Sequence, residues 1–201
     1  MRQHTNPDFY FFMTARFAPF LLSLFLLSAC TTAGDVHDSF QRDATKPVLF
    51  EEFSDFQCPY CKQFHPVIEK LKGDFPNIEF RYAYFPLENI HPYALGAAEA
   101  AECVRRNESP EIFKKYIAKL FASADLQESA LKSMAKEVGA DEAKCSACIS
   151  SKEAQSRVKA DTKEGFKRGV DSTPTIFING QKYTGDRSYE DLYQKLKSIQ
   201  G

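Results

Sequence analysis

The chain has 201 residues, with 26 Lys plus Arg against 27 Asp plus Glu and a formal net charge of −1. So even a balance excludes a strongly basic chain overall, and nothing in it suggests nucleic-acid binding. The length suits one domain of ordinary size carrying an insertion.

In chain order, the first readable element is an export signal. Arg16 precedes an apolar run, Phe17 to Ala29, broken by Pro19 and Ser23. The run falls short of the ~20 residues that span a bilayer and suits a signal peptide over residues 1–29. An uncleaved anchor is the alternative. Asp8 and the Phe9-to-Phe12 aromatic run are odd for a signal, so Met13 is a candidate start. The run closes as Leu27-Ser28-Ala29-Cys30, which resembles the lipobox of bacterial lipoproteins. The resemblance implies a diacylated Cys30 at the new N-terminus. With Thr31 rather than Asp following, it also implies outer-membrane sorting in a Gram-negative cell. The competing reading is an ordinary signal with a coincidental cysteine. Residues 30–46 are polar and read as a tether. Export places the other cysteines where disulfides persist.

The domain is predicted over residues 47–201. Pro47 to Phe53 reads as a buried strand. Glu52, six residues before Cys58, is its anomaly: either a proton shuttle for a buried thiol or an exposed strand-end acid. Neighbouring Glu51 is expected to be the solvated one. The strand leads into Phe53-Ser54-Asp55-Phe56-Gln57-Cys58-Pro59-Tyr60-Cys61. Two cysteines three apart at a helix start share one face, with Cα atoms roughly 5 Å apart, inside the disulfide window. Pro59 suits the first helical position, which makes Cys58 the N-cap. There the first-turn amides and the helix dipole favour a thiolate. Cys61, one turn in, is placed to resolve a mixed disulfide. A structural disulfide or half of a zinc site are the plainer alternatives.

The first helix is predicted from Pro59 to Gly73, kinked at Pro66, with His65 on the surface or on the rim of the thiol site. Ile78 to Tyr84 alternates as a strand. From about residue 89 to 169 the texture is helical: His91 to Arg106, then a helix from Ser109-Pro110, one opening at Asp125 or Ser129, and further helix over 141–148 and 151–168. His91 is expected to pack or cap at the first of these. Thr173 to Tyr183 reads as a hairpin around Asn179-Gly180, and Ser188 caps a last helix. Cys103, Cys145 and Cys148 remain. A staple from Cys103 to Cys145 or Cys148 is favoured over a second redox relay through Cys145 and Cys148.

The Cys58-Pro59-Tyr60-Cys61 junction, the distant Thr173-Pro174 before a hairpin, the closing helix and the helical stretch between resemble the DsbA-like branch of the thioredoxin superfamily. The resemblance covers about residues 44–200. It implies an α/β thioredoxin fold with a helical insertion, and catalytic Cys58 and Cys61. It also implies a cis Pro174 beside them, a Thr173 backbone that pairs with extended substrate, and a buried acid at Glu52. Pro59 and Tyr60 between the cysteines depart from the Pro-His of the best-known DsbA oxidants. Tyr60 supplies no positive charge, so a less acidic Cys58 is expected.

The expected function is thiol–disulfide exchange with exported cysteine-containing proteins in the cell envelope. The disulfide would be regenerated by a membrane redox partner, with no cofactor, no metal and no nucleic acid involved. An oxidase is favoured, because no dimerisation domain of the isomerase branch precedes the site. A reductase or isomerase, and a soft-metal chaperone using its cysteine pairs, are the alternatives.

Overall fold

The structure is a computed structural model that describes residues 47–200; the expected signal, Cys30, the Met13 start and the tether lie outside them. A four-stranded sheet carries the fold, in the order β2-β1-β3-β4. Strands β1 (Leu49–Ser54) and β2 (Glu79–Tyr84) are parallel, and β3 (Thr175–Ile178) runs antiparallel to β1 and to β4 (Gln181–Lys182). The Asn179-Gly180 turn has both residues at positive φ, 50° and 83°, which the hairpin's tight connection requires.

On one face of the sheet, α1 (Pro59–Asp74) and α7 (Tyr189–Gln200) bury Phe50, Ile176 and Ile178 against Phe64, Ile68, Leu71, Leu192 and Leu196. α1 runs on through Pro66. The other face holds Phe53, Ala83, Phe85, Val170 and Phe177. Between β2 and β3 five helices follow without a strand: α2 (Ala94–Asn107), α3 (Pro110–Ala122), α4 (Glu128–Glu137), α5 (Glu142–Ser151) and α6 (Gln155–Lys167). They share a core of α2 alanines with Tyr116, Leu120, Leu131, Ile149 and Val158, which continues into Phe56 and both cysteines of the motif. Cys103 of α2 and Cys148 of α5 form a disulfide with Cα atoms 5.8 Å apart, and Cys145 is a buried free thiol.

Four local expectations are corrected. Helix does not continue from 151 to 168: Lys152 adopts a left-handed φ of 62° between α5 and α6, with its ammonium 3.3 Å from the buried Glu99. No glycine marks that break, so the sequence pattern hides it. α2 begins at Ala94 rather than His91, because residues 87–93 fold around Asp55. α4 begins at Glu128, with Gln127 in the N-cap position making no side-chain capping bond, while Asp125 accepts from the Gln127 amide in the loop before it. Glu51 is buried, not solvated: β1 is covered on both faces, and Glu51 pairs with Arg81 at 3.1 Å and Arg168 at 3.0 Å.

α6 approaches the sheet through Gly165. A Cβ there would lie 2.6 Å from the Phe85 ring and 3.0 Å from Phe53. Both rings are fully buried, so neither can yield cheaply. Gly165→Ala is expected to destabilise the fold by about 1–3 kcal/mol, read as a lower denaturant midpoint. Removing the disulfide, which closes a 45-residue separation, in a Cys103→Ala/Cys148→Ala chain is expected to cost about 2–4 kcal/mol by the same measurement.

Candidate active site

Cys58 is the N-cap of α1, with extended backbone (φ −70°, ψ 123°) and Pro59 following at the helix start. Its carbonyl accepts from the Lys62 amide at 3.0 Å. The Cys58 thiol donates to the Thr173 carbonyl at 3.4 Å, across the cis Thr173–Pro174 bond that brings the hairpin to the helix head. Arg187, from the loop before α7, donates to the Pro174 carbonyl at 2.6 Å. Cys58 is 3% exposed and Cys61 fully buried, whereas Tyr60 between them is 68% exposed. Beside them a shallow groove of about 260 Å³ is lined by Tyr60, Gln63, Phe64, Val67, Pro174 and Arg187.

The two sulfurs are electrostatically unlike. The Cys58 pKa is lowered to about 5, first by a hydrogen bond from the Cys61 thiol, which outweighs the cost of burial. The Thr173 hydroxyl and the backbone amides of Cys61 and Tyr60 add to it. No cationic side chain is among these causes. Tyr60 adds no positive charge, and the lowering comes from neutral donors alone. Cys61 goes the other way: burial, the anionic Cys58 beside it and then the charge of Glu52 all raise its pKa. One sulfur is a thiolate at neutral pH and its neighbour a thiol, which is the division that disulfide exchange needs.

Glu52 is 2% exposed, and neither carboxylate oxygen has a hydrogen-bond partner. Burial raises its pKa to about 7, with the Ser54 hydroxyl and Lys72 only partly offsetting it. A carboxyl poised there takes or gives a proton at physiological pH with little bias. His65 does not reach the rim. It is buried, stacks on Phe121 at 4.7 Å and has Nδ1 3.0 Å from the Tyr82 hydroxyl, and burial pushes its pKa down.

Asp55 was missed as a site residue. Its buried carboxylate accepts from the Gln57 amide at 2.7 Å and the Leu87 amide at 2.9 Å, and Oδ2 lies 2.7 Å from His91 Nδ1. The Asp55 carbonyl accepts from the Cys58 amide at 3.1 Å. One side chain thus ties the loop before Cys58 to the loop after β2. An Asp two residues before a turn amide is the local signal that would have found it. Cys145 and Cys148 share a helix face, but Cys148 is bonded to Cys103, so they are not a second dithiol pair in this structure.

The thioredoxin family model matches residues 42–198. This chain belongs to the thioredoxin family. Among curated proteins it is 31% identical over 152 residues to a Na(+)/H(+) antiporter NhaA 1 of Salinispora arenicola, covering 76% of this chain but 23% of that protein. The chain therefore spans about a quarter of the length of that relative. It is 28% identical over 174 residues to Disulfide bond formation protein D of Bacillus subtilis, covering 77% of this chain and 74% of that one. Among solved structures, oxidised BdbD from Bacillus subtilis superposes with a TM-score of 0.67 at 23% identity, covering 78% of this chain and 89% of the other. Within the thioredoxin family, the extra helices between β2 and β3 give this chain the DsbA-like form of the fold. Among the described residues, no helix is long and apolar enough to cross a membrane.

Two titrations follow. Alkylation of reduced protein should show Cys58 reacting with a midpoint near pH 5 while Cys61 stays unreactive through neutral pH. In the oxidised protein neither sulfur titrates. Burial, the largest cause of the raised Glu52 pKa, persists there, so Glu52 retains a proton that the unfolded chain has released above its ordinary value of 4.5. Stability should therefore fall as pH rises above 4.5, by about 1.4 kcal/mol per pH unit until Glu52 ionises in the folded protein. Glu52→Gln should flatten that slope in pH-dependent urea unfolding.

Proposed function

We propose that the chain is a thiol–disulfide oxidoreductase of the cell envelope that exchanges a Cys58–Cys61 disulfide with exported cysteine-containing proteins. The observation that carries this reading is the placement of Cys58 at the N-cap of α1 beside the cis Thr173–Pro174 bond with Cys61 sealed one turn in, which opposes the acidities of the two sulfurs. A substrate thiolate attacks Cys58 Sγ, breaking the Cys58–Cys61 bond, and Cys61 leaves as a thiolate. That thiolate is strongly basic in its buried site and takes a proton from Glu52. A second substrate thiolate then attacks the substrate sulfur of the mixed disulfide. Cys58 leaves as a stable anion, so the substrate is oxidised and the dithiol is left reduced. The Thr173 backbone, beside the Cys58 sulfur, is placed to pair with an extended substrate segment in the groove.

The low Cys58 pKa favours the direction of oxidase. It stabilises the reduced form and makes the disulfide a stronger oxidant, so a membrane redox partner is needed to regenerate it. The name of the Bacillus subtilis relative, Disulfide bond formation protein D, supports the same direction. The sequence pattern at Cys30 supports a lipid anchor that holds the domain at a membrane surface.

Cys61→Ala is expected to accumulate mixed disulfides between Cys58 and exported proteins, seen as adducts lost on reduction, whereas Cys58→Ala forms none and loses all exchange activity. A Cys58→Ala chain as active as the wild type would overturn the assignment. A redox potential near that of thioredoxin, roughly −270 mV, would make it a reductase instead of an oxidase.

A further inference from the structure

β2 is the outer strand of the sheet, bonded to β1 alone. A concavity of about 360 Å³ opens over it, within the roughly 300–1,000 Å³ of small-molecule sites. Basic side chains converge on it from five elements: Lys72 of α1, Arg81 of β2, Arg105 of α2, Lys114 of α3 and Arg157 of α6. The acidic residues of the wall are Glu69 and Glu79.

These cations share their partners. Lys72 and Lys114 both lean on Glu69, at 2.8 and 2.9 Å. Arg81 and Arg157 both lean on Asp161, at 3.6 and 3.1 Å, and Arg81 divides Glu51 with Arg168. Only Arg105 has a carboxylate, Glu102, in a two-pronged bond of its own, at 2.6 Å on both prongs. Arg81 Nε and Arg157 Nε are buried with no hydrogen-bond acceptor; the 3.1 Å approach of Arg157 Nε to Asp161 is off the line of a hydrogen bond. Those two nitrogens are closed to solvent, but the Arg81 and Arg157 side chains are 38% and 41% exposed, so their outer guanidinium nitrogens are the donors that can meet an acceptor in the concavity. The rest of the wall is apolar, including Phe113 and Ile117 with the Tyr82 ring.

We propose that this pocket binds a small organic anion: a carboxylate or phosphate carried on an apolar or aromatic body. The oxyanion accepts from the Arg81 and Arg157 guanidinium groups, whose forked donors match it. Lys72 and Lys114 complete the charge, and the body lies against Phe113 and Tyr82. The site contains none of Cys58, Cys61, Glu52 and Thr173, and Lys72 is its one link to them, through its charge on Glu52.

The test is calorimetric titration of the purified oxidised protein with phenyl phosphate, benzoate and inorganic phosphate, with amide shifts mapped by NMR. Saturable one-to-one binding is expected, tighter for phenyl phosphate than for inorganic phosphate. Shifts should centre on Lys72, Arg81, Phe113 and Lys114 rather than Cys58. Lys114→Glu, at an exposed position, should weaken binding about tenfold and leave insulin reduction unchanged. Arg157→Gln should weaken it further; if that chain does not fold, the shift map and Lys114→Glu decide. No saturable binding of phenyl phosphate or benzoate, shifts centred elsewhere, or an unaffected Lys114→Glu chain would overturn the proposal. Binding of an extended acidic peptide along β2, but of neither small anion, would overturn it too.

Discussion

The Cys58 sulfur meets the Thr173 carbonyl across 115 positions of sequence, and the working geometry of the domain follows from that contact. It requires the hairpin of β3 and β4 to end beside the head of α1. It also requires the Thr173–Pro174 bond to turn the Thr173 carbonyl and hydroxyl toward the sulfur. The carbonyl accepts from the Cys58 thiol, while the anion is favoured by donors around the sulfur, first the thiol of Cys61. The price is borne one turn further along, where Cys61 is shut away from water beside an anionic neighbour and an acid.

Two carboxylates in adjacent positions of β1 show how burial divides roles. Glu51 faces α6 and is neutralised by Arg81 and Arg168. Glu52 points to the opposite face, where the helix packed against it offers apolar side chains and a distant lysine. The first is a structural ion pair holding the insertion to the sheet. The second has nothing to pair with, so it holds its proton to about pH 7. Asp55, further along, is buried like them but fully hydrogen-bonded, and it sets the path of the loop that delivers Cys58.

Several parts of this arrangement were legible in advance because they are written in local chemistry. Pro59 after Cys58 marks a helix start, Ser109-Pro110 another, and Asn179-Gly180 a hairpin; each turned out where its dihedral preferences put it. The resemblance to DsbA-like proteins added the thioredoxin fold and the cis bond before Pro174. What stayed hidden had no local signature. Lys152 in a left-handed conformation, His65 stacked on Phe121, and the choice of Cys148 over Cys145 as partner of Cys103 depend on neighbours far away in sequence.

By itself, then, the sequence determined that two cysteines share the first turn of a helix behind a strand, that a long helical stretch interrupts the sheet, and that a Thr-Pro precedes a closing hairpin. Those are consequences of backbone preference and hydrophobic period, which act over a few residues. Only the tertiary structure decided that the Thr173 carbonyl meets the Cys58 sulfur, that Glu52 lacks a partner while Glu51 has two, and that five basic side chains meet at the edge of β2. Desolvation and charge pairing depend on what packs around a group, and no stretch of the chain read alone contains that information.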